Sequence, residues 1–113
     1  MSKSVKSVKA KVTAVDKSSN LANMFNILSD KTRLGLVTLI SGNTDGINVS
    51  ELCKATNLPQ PTVSHHLGLL RMNRVIDNKR QGKEVHYALG SDCTVSEDRV
   101  SIKVGDRELT FTK

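Results

Sequence analysis

The sequence predicts an α+β fold of about four helices plus a β-hairpin, with an additional C-terminal β-hairpin. Three observations predict it: helical apolar spacing between Leu21 and Leu70, a change to alternation of period two after Arg74, and glycine-containing turns at Gly82 and Gly105. A chain of 113 residues has room for one core, because a second would need roughly another hundred. Apolar residues make up 37% and aromatics only 3% (Phe25, Tyr87 and Phe111), so the core is aliphatic and thin, and pairing with a second copy would add buried area.

Residues 1–19 place valines at 5, 8, 12 and 15, a helical spacing, but their Ser, Thr and Val content gives little helix propensity, so a flexible basic arm is expected. From Asn20, Leu21, Met24, Phe25 and Leu28 recur at steps of three and four, which predicts a first helix to about Ser29. Asp30 can cap a second helix, with Leu34 and Val37 on its apolar face joined by Ile40 or Leu36, and Ser41-Gly42 ends it. Ile47 to Val49 reads as a short extended stretch feeding a third helix, roughly Val49 to Thr56. Asn48 and Glu51 fit a capping box there, although Asn is not the Ser or Thr of the strict motif. That helix is expected to bury Leu52 and Ala55.

After the tight connection Asn57-Leu58-Pro59-Gln60, Pro61 suits the first turn of a fourth helix, where its missing donor leaves nothing unpaired. Val63, Leu67 and Leu70 share one face, leaving Thr62, Ser64, His65 and Gly68 on others. Two short helices joined by a tight turn, the second with a polar face, are helix-turn-helix geometry. Val75 to Lys79 and Glu84 to Leu89 then form a hairpin across Arg80-Gln81-Gly82-Lys83, with Val85, Tyr87 and Leu89 on its buried side. This is the wing of a winged helix-turn-helix unit over residues 20–90. In the extension, residues 91–113, Val100, Ile102 and Val104 face Leu109 and Phe111 across Gly105-Asp106, with Lys103 opposite Glu108.

The formal net charge of +6 is concentrated. Residues 1–19 carry five lysines against Asp16, and residues 54–83 carry Lys54, Arg71, Arg74, Lys79, Arg80 and Lys83 against Asp77. Such clustering points to a polyanion, against the blander reading of a solvated lysine-rich surface. Cys53 and Cys93 are too few for a disulfide framework, and no leader or membrane-length apolar run is apparent, so a cytoplasmic protein with reduced thiols is expected. The three histidines lie on the fourth helix and the wing, no carboxylate pair is placed for acid-base work, and no glycine-rich phosphate loop opens a helix, so no enzyme is expected.

The strings LSDKTRLGLVTLI, VSELCKATNLPQPTVSHHLGLLR and RQGKEVHYAL, between about Leu21 and Leu89, make the chain similar to the arsenical-resistance-repressor (ArsR) family of winged helix-turn-helix regulators. That resemblance implies a homodimer that binds double-stranded DNA at an inverted repeat. Many members release DNA when a metal or metalloid binds. Two departures stand out. Arg74 occupies a position where the family usually has Gly, so a left-handed turn must fall on Asn73 or strain Arg74. The chain after Gly90 reads as strands, where relatives usually end in a long helix that pairs across the dimer.

The expected base readers are Gln60, Pro61, Thr62, Ser64 and His65, at the polar N-terminal side of the fourth helix. Arg71, Lys79, Arg80, Gln81 and Lys83 are expected on the DNA backbone, and His66 is read as a packing or phosphate-orienting residue. Cys53 takes the place of the first cysteine in the family's paired-thiolate site, but Ala55 stands at the second. A soft metal needs several thiolates or imidazoles, so no metal and no cofactor are expected. The alternatives are a metal- or thiol-responsive sensor using Cys53, and a winged-helix module that binds another protein through a strand edge in residues 99–112.

Overall fold

The first element in the computed structural model, which describes residues 20–113, is a helix over residues 20–28, here α1. The basic arm expected over residues 1–19 lies outside the described residues. Helices α2 (Lys31–Ser41), α3 (Val49–Thr56) and α4 (Gln60–Met72) follow, with the short strand β1 (Ile47–Asn48) between α2 and α3. Five more strands complete the chain: β2 (Ile76–Gln81), β3 (Glu84–Leu89), β4 (Cys93–Val95), β5 (Arg99–Val104) and β6 (Arg107–Thr112). They form two three-stranded antiparallel sheets, ordered β1-β3-β2 and β4-β5-β6.

Capping residues set the helix boundaries. The Asp30 side chain accepts from the Arg33 N–H at 3.0 Å, which holds its carboxyl below the usual carboxylate range. α2 closes on Gly42 at φ −80°, an ordinary right-handed value. At the head of α3 the full capping box is present: Asn48 Oδ1 accepts from the Glu51 N–H at 2.8 Å, and Glu51 Oε1 accepts from the Asn48 N–H at 3.3 Å. The turn into α4 uses Asn57 at φ 57°, a left-handed value that Asn tolerates.

One aliphatic cluster holds the unit together: Leu36, Val37, Ile40, Leu52, Val63, Leu67, Leu70, Val75 and Ile76 are fully buried, and Val100, Ile102 and Leu109 of the second sheet join the same cluster. Several expected core positions differ. Phe25 is 56% exposed and Ile27 is buried in its place, because Met24, Ile27 and Leu28 form the inward stripe of α1. Leu34 is 36% exposed, and the inward face of α2 is Leu36, Val37 and Ile40. Ala55 is exposed; Thr56, half-buried one position on, turns inward and bonds back to the Leu52 carbonyl at 2.8 Å.

The wing is longer than the sequence reading drew it. Arg80 and Gln81 pair with Val85 and Glu84, so only Gly82 and Lys83 make the turn, with Gly82 at φ 65°. Its alternation is also imperfect: Tyr87 and Leu89 pack on the core, but Val85 is exposed, while His86 and Ala88 are half-buried. β1 accounts for part of this, since it pairs with β3 and covers His86 and Tyr87. The C-terminal hairpin has the register read from the sequence, with Val100 opposite Phe111, Ile102 opposite Leu109 and Lys103 opposite Glu108. β4 was not foreseen; three residues are too few for a periodic signal.

Candidate nucleic-acid interface

Asn57-Leu58-Pro59 turns the chain between α3 and α4, and Pro59 is the N-cap of α4 with extended backbone and no side-chain capping bond. The first amides of α4 are therefore left for an external acceptor. Pro61, Ser64, His65 and Gly68 fall at i, i+3, i+4 and i+7, and all four are exposed along one stripe. Gln60 and Thr62 are exposed beside it, opposite the buried Val63, Leu67 and Leu70. A Cβ on Gly68 would meet nothing within 4 Å, so this face is open and locally smooth.

An open groove of about 390 Å³ separates α4 from the wing. Gln60 and Ser64 line one wall, Lys83, Glu84, Val85 and Tyr87 the other, and Asn48, Val49 and Ser50 its end. The structure thus brings Gln60, Ser64 and Lys83 together around one concavity. Pro61, Thr62 and His65 sit on the exposed ridge of α4, Arg71 is exposed in its last turn, and Lys79 and Arg80 are exposed on β2. Gln81 is also exposed, and its side-chain amide donates to the Asp45 carbonyl at 3.5 Å.

The sequence reading missed Glu84 as a member of this site. Its carboxylate accepts from Asn48 Nδ2 at 3.0 Å and pairs with His86 Nε2 at 3.1 Å. These two contacts, Asn48 foremost, hold Glu84 below the usual carboxylate range. Asn48 therefore serves twice, its oxygen capping α3 and its amide nitrogen tethering the wing. A Ser or Thr cap would have to make both bonds from one oxygen, whereas Asn presents its acceptor and its donor on separate atoms. The β1–β3 pairing brings Asn48 opposite His86, and that pairing was the missing signal.

His66 points away from the ridge. Its side chain is 15% exposed, its Nδ1 lies 3.2 Å from Arg33 Nη1 and 4.0 Å from Asp30 Oδ2, and Arg33 Nε donates to the Ile27 carbonyl. This fixes α4 against the start of α2. At the other end of α4, Asn73 sends its side-chain amide to the Leu69 carbonyl at 2.8 Å and accepts from Asn23 Nδ2 at 3.0 Å. Asn73 keeps φ at −94°, and the left-handed turn falls on Arg74 at φ 62°.

Cys53 is half-buried against the core, and Cys93 is half-buried with its thiol donating to the Val75 carbonyl at 3.4 Å. Burial pushes the Cys93 thiol up to about 11. Among the described residues no three His, Cys, Asp or Glu side chains come together as a metal would need, and no helix is long and apolar enough to cross a membrane.

Residues 30–77 match the sequence profile of the bacterial regulatory proteins of the arsR family. The chain is 46% identical over 66 residues to the arsenical resistance operon repressor of Escherichia coli K12, a match covering 58% of this chain and 56% of that protein. It is 30% identical over 92 residues to the transcriptional repressor SdpR of Bacillus subtilis 168, covering 77% of this chain and 98% of that one. Among solved structures, the transcriptional repressor BigR from Xylella fastidiosa superposes with a TM-score of 0.63 at 28% identity, over 72% of this chain and 78% of that one. On the profile match and the end-to-end similarity to the Bacillus repressor, the chain belongs to the ArsR family of winged helix-turn-helix bacterial regulators.

Proposed function

We propose that this chain is a cytoplasmic transcriptional repressor, not an enzyme, which binds double-stranded DNA as a homodimer on an inverted repeat. The observation that carries the reading is the pairing of an exposed, polar, uncapped α4 terminus with a cationic wing across one open groove. Gln60, Pro61, Thr62, Ser64 and His65 meet base edges in the major groove, and the bare surface at Gly68 lets the helix lie close to the sugar-phosphate rail. Arg71, Lys79, Arg80, Gln81 and Lys83 hold phosphates. The named repressors in Escherichia, Bacillus and Xylella support the regulatory role. In a dimer the two α4 helices enter successive major grooves, about 34 Å apart.

Binding to duplexes selected from a random library, measured by fluorescence anisotropy across a salt series, tests this. Ser64→Ala and His65→Ala are expected to lose about 1–3 kcal/mol of preference for the selected site and to leave random duplex unaffected. Arg80→Ala and Lys83→Ala should weaken every duplex alike and lower the salt slope by about one ion each. If all four variants bind as the parent does, α4 and the wing are not the interface.

A further inference from the structure

From the hydrogen-bonding parity of the C-terminal sheet, we infer that β6 is the dimer seam, pairing antiparallel with β6 of a second copy about a two-fold axis at Thr110. The inference rests on the homodimer part of the reading above and gives that homodimer an interface.

β6 is the outer strand of its sheet. The two-residue turn Gly105-Asp106 makes Val104 and Arg107 a hydrogen-bonded pair. Bonded pairs then recur at Ile102–Leu109 and Val100–Phe111, and the parity runs on to the bond from the Lys113 N–H to the Asp98 carbonyl at 2.7 Å. The backbone groups of Glu108, Thr110 and Thr112 consequently point away from β5, and no described residue takes them.

That edge is complementary to itself in one register. With Thr110 facing the partner's Thr110, Glu108 faces the partner's Thr112, and every outward N–H and C=O of these residues meets its complement. The same register puts Leu109 opposite the partner's Phe111, on the face that both protomers turn toward their helices. Shifting by two residues leaves part of the edge unpaired, and shifting by one would turn the apolar side chains to the wrong face.

A second, independent feature agrees. Beside β6 lies an apolar groove of about 360 Å³ whose lining includes Phe25, Leu28, Leu34, Leu109 and Phe111. An added strand that continues the sheet brings its own Leu109 and Phe111 down onto Phe25 and Leu34, two of the three large apolar side chains that the helices leave exposed, the third being Met72 of α4. The other edges suit a partner less well. β2 presents Asp77, Lys79 and Arg80, and β4 has three residues, with the Cys93 N–H already given to the Gly90 carbonyl.

Sedimentation equilibrium of the full chain should show a dimer. Thr110→Pro deletes an outward N–H without touching the β5–β6 ladder, and should give a monomer with an unchanged circular dichroism spectrum. Val95→Pro, on the opposite edge of the sheet, should stay dimeric. In a Cys53→Ser, Cys93→Ser background, Thr110→Cys should oxidise to a covalent dimer, because bonded antiparallel partners sit about 5.5 Å apart. Thr112→Cys should not, since its counterpart is roughly 13 Å along the ladder. Cross-linking of the Cys variant supports the register even where the Pro variant fails to fold. A monomeric parent, a dimeric Thr110→Pro protein, or equal cross-linking at 110 and 112 overturns the seam. Duplex binding is scored separately: a dimer that binds no DNA keeps the seam and removes the regulator reading, and a monomer that binds DNA does the reverse.

Discussion

Arg74 carries the left-handed conformation at φ 62°, because the neighbouring Asn73 is engaged in capping α4. A non-glycine residue there costs about 1–2 kcal/mol of backbone strain, offset in part by the chain entropy that a glycine would add to the unfolded state. Arg74→Gly is therefore expected to stabilise the fold by about 0.5–1 kcal/mol in urea unfolding, with the midpoint rising and the slope unchanged. Sequence alone narrowed the turn to Asn73 or Arg74. The choice depended on Asn23 of α1 reaching Asn73 across 50 positions, a contact that no local pattern encodes.

At the scale of elements, the bond from Asn48 to Glu84 ties the wing to α3 through one carboxylate, beside the backbone pairing of β1 with β3. Since folding lowers the Glu84 pKa, the tether contributes fully above the ordinary glutamate value, and is lost as pH falls through the lowered folded value. Glu84→Gln should remove that acid limb, read as the pH dependence of wing amide exchange. Asn48→Ser should keep the cap of α3 and loosen the wing, whereas Asn48→Ala should also lose about 1 kcal/mol of stability. Most of these elements were legible: the α3 and α4 boundaries follow from the capping box and Pro61, and the C-terminal register follows from Val100, Ile102, Leu109 and Phe111. Glu84 was not, because its role arises from pairing with a strand of only two residues. Phe25 and Leu34 were misplaced for a related reason: periodicity marks an apolar stripe but not its width, and on α1 and α2 the stripe spills past the core.

For the whole molecule, the second sheet is part of the same aliphatic cluster as the helices, with Val100 and Ile102 as buried as Leu52 or Leu67. Ile102→Ala should accordingly lower the stability of the entire chain by roughly 2–5 kcal/mol, and circular dichroism and wing-proton signals should lose structure in one coincident transition. Separate transitions would show that the sheet is an appendage. Where that sheet meets the rest, Gly90 leaves no space: a Cβ there would collide with the Arg74 carbonyl oxygen, and the neighbouring Val75 carbonyl receives both the Gly90 N–H and the Cys93 thiol. The last turn of α4, the root of the wing and the first strand of the second sheet are thus riveted at a single backbone point. A twist of the second sheet is thereby passed through backbone bonds to α4 and the wing, the two surfaces proposed above to meet DNA.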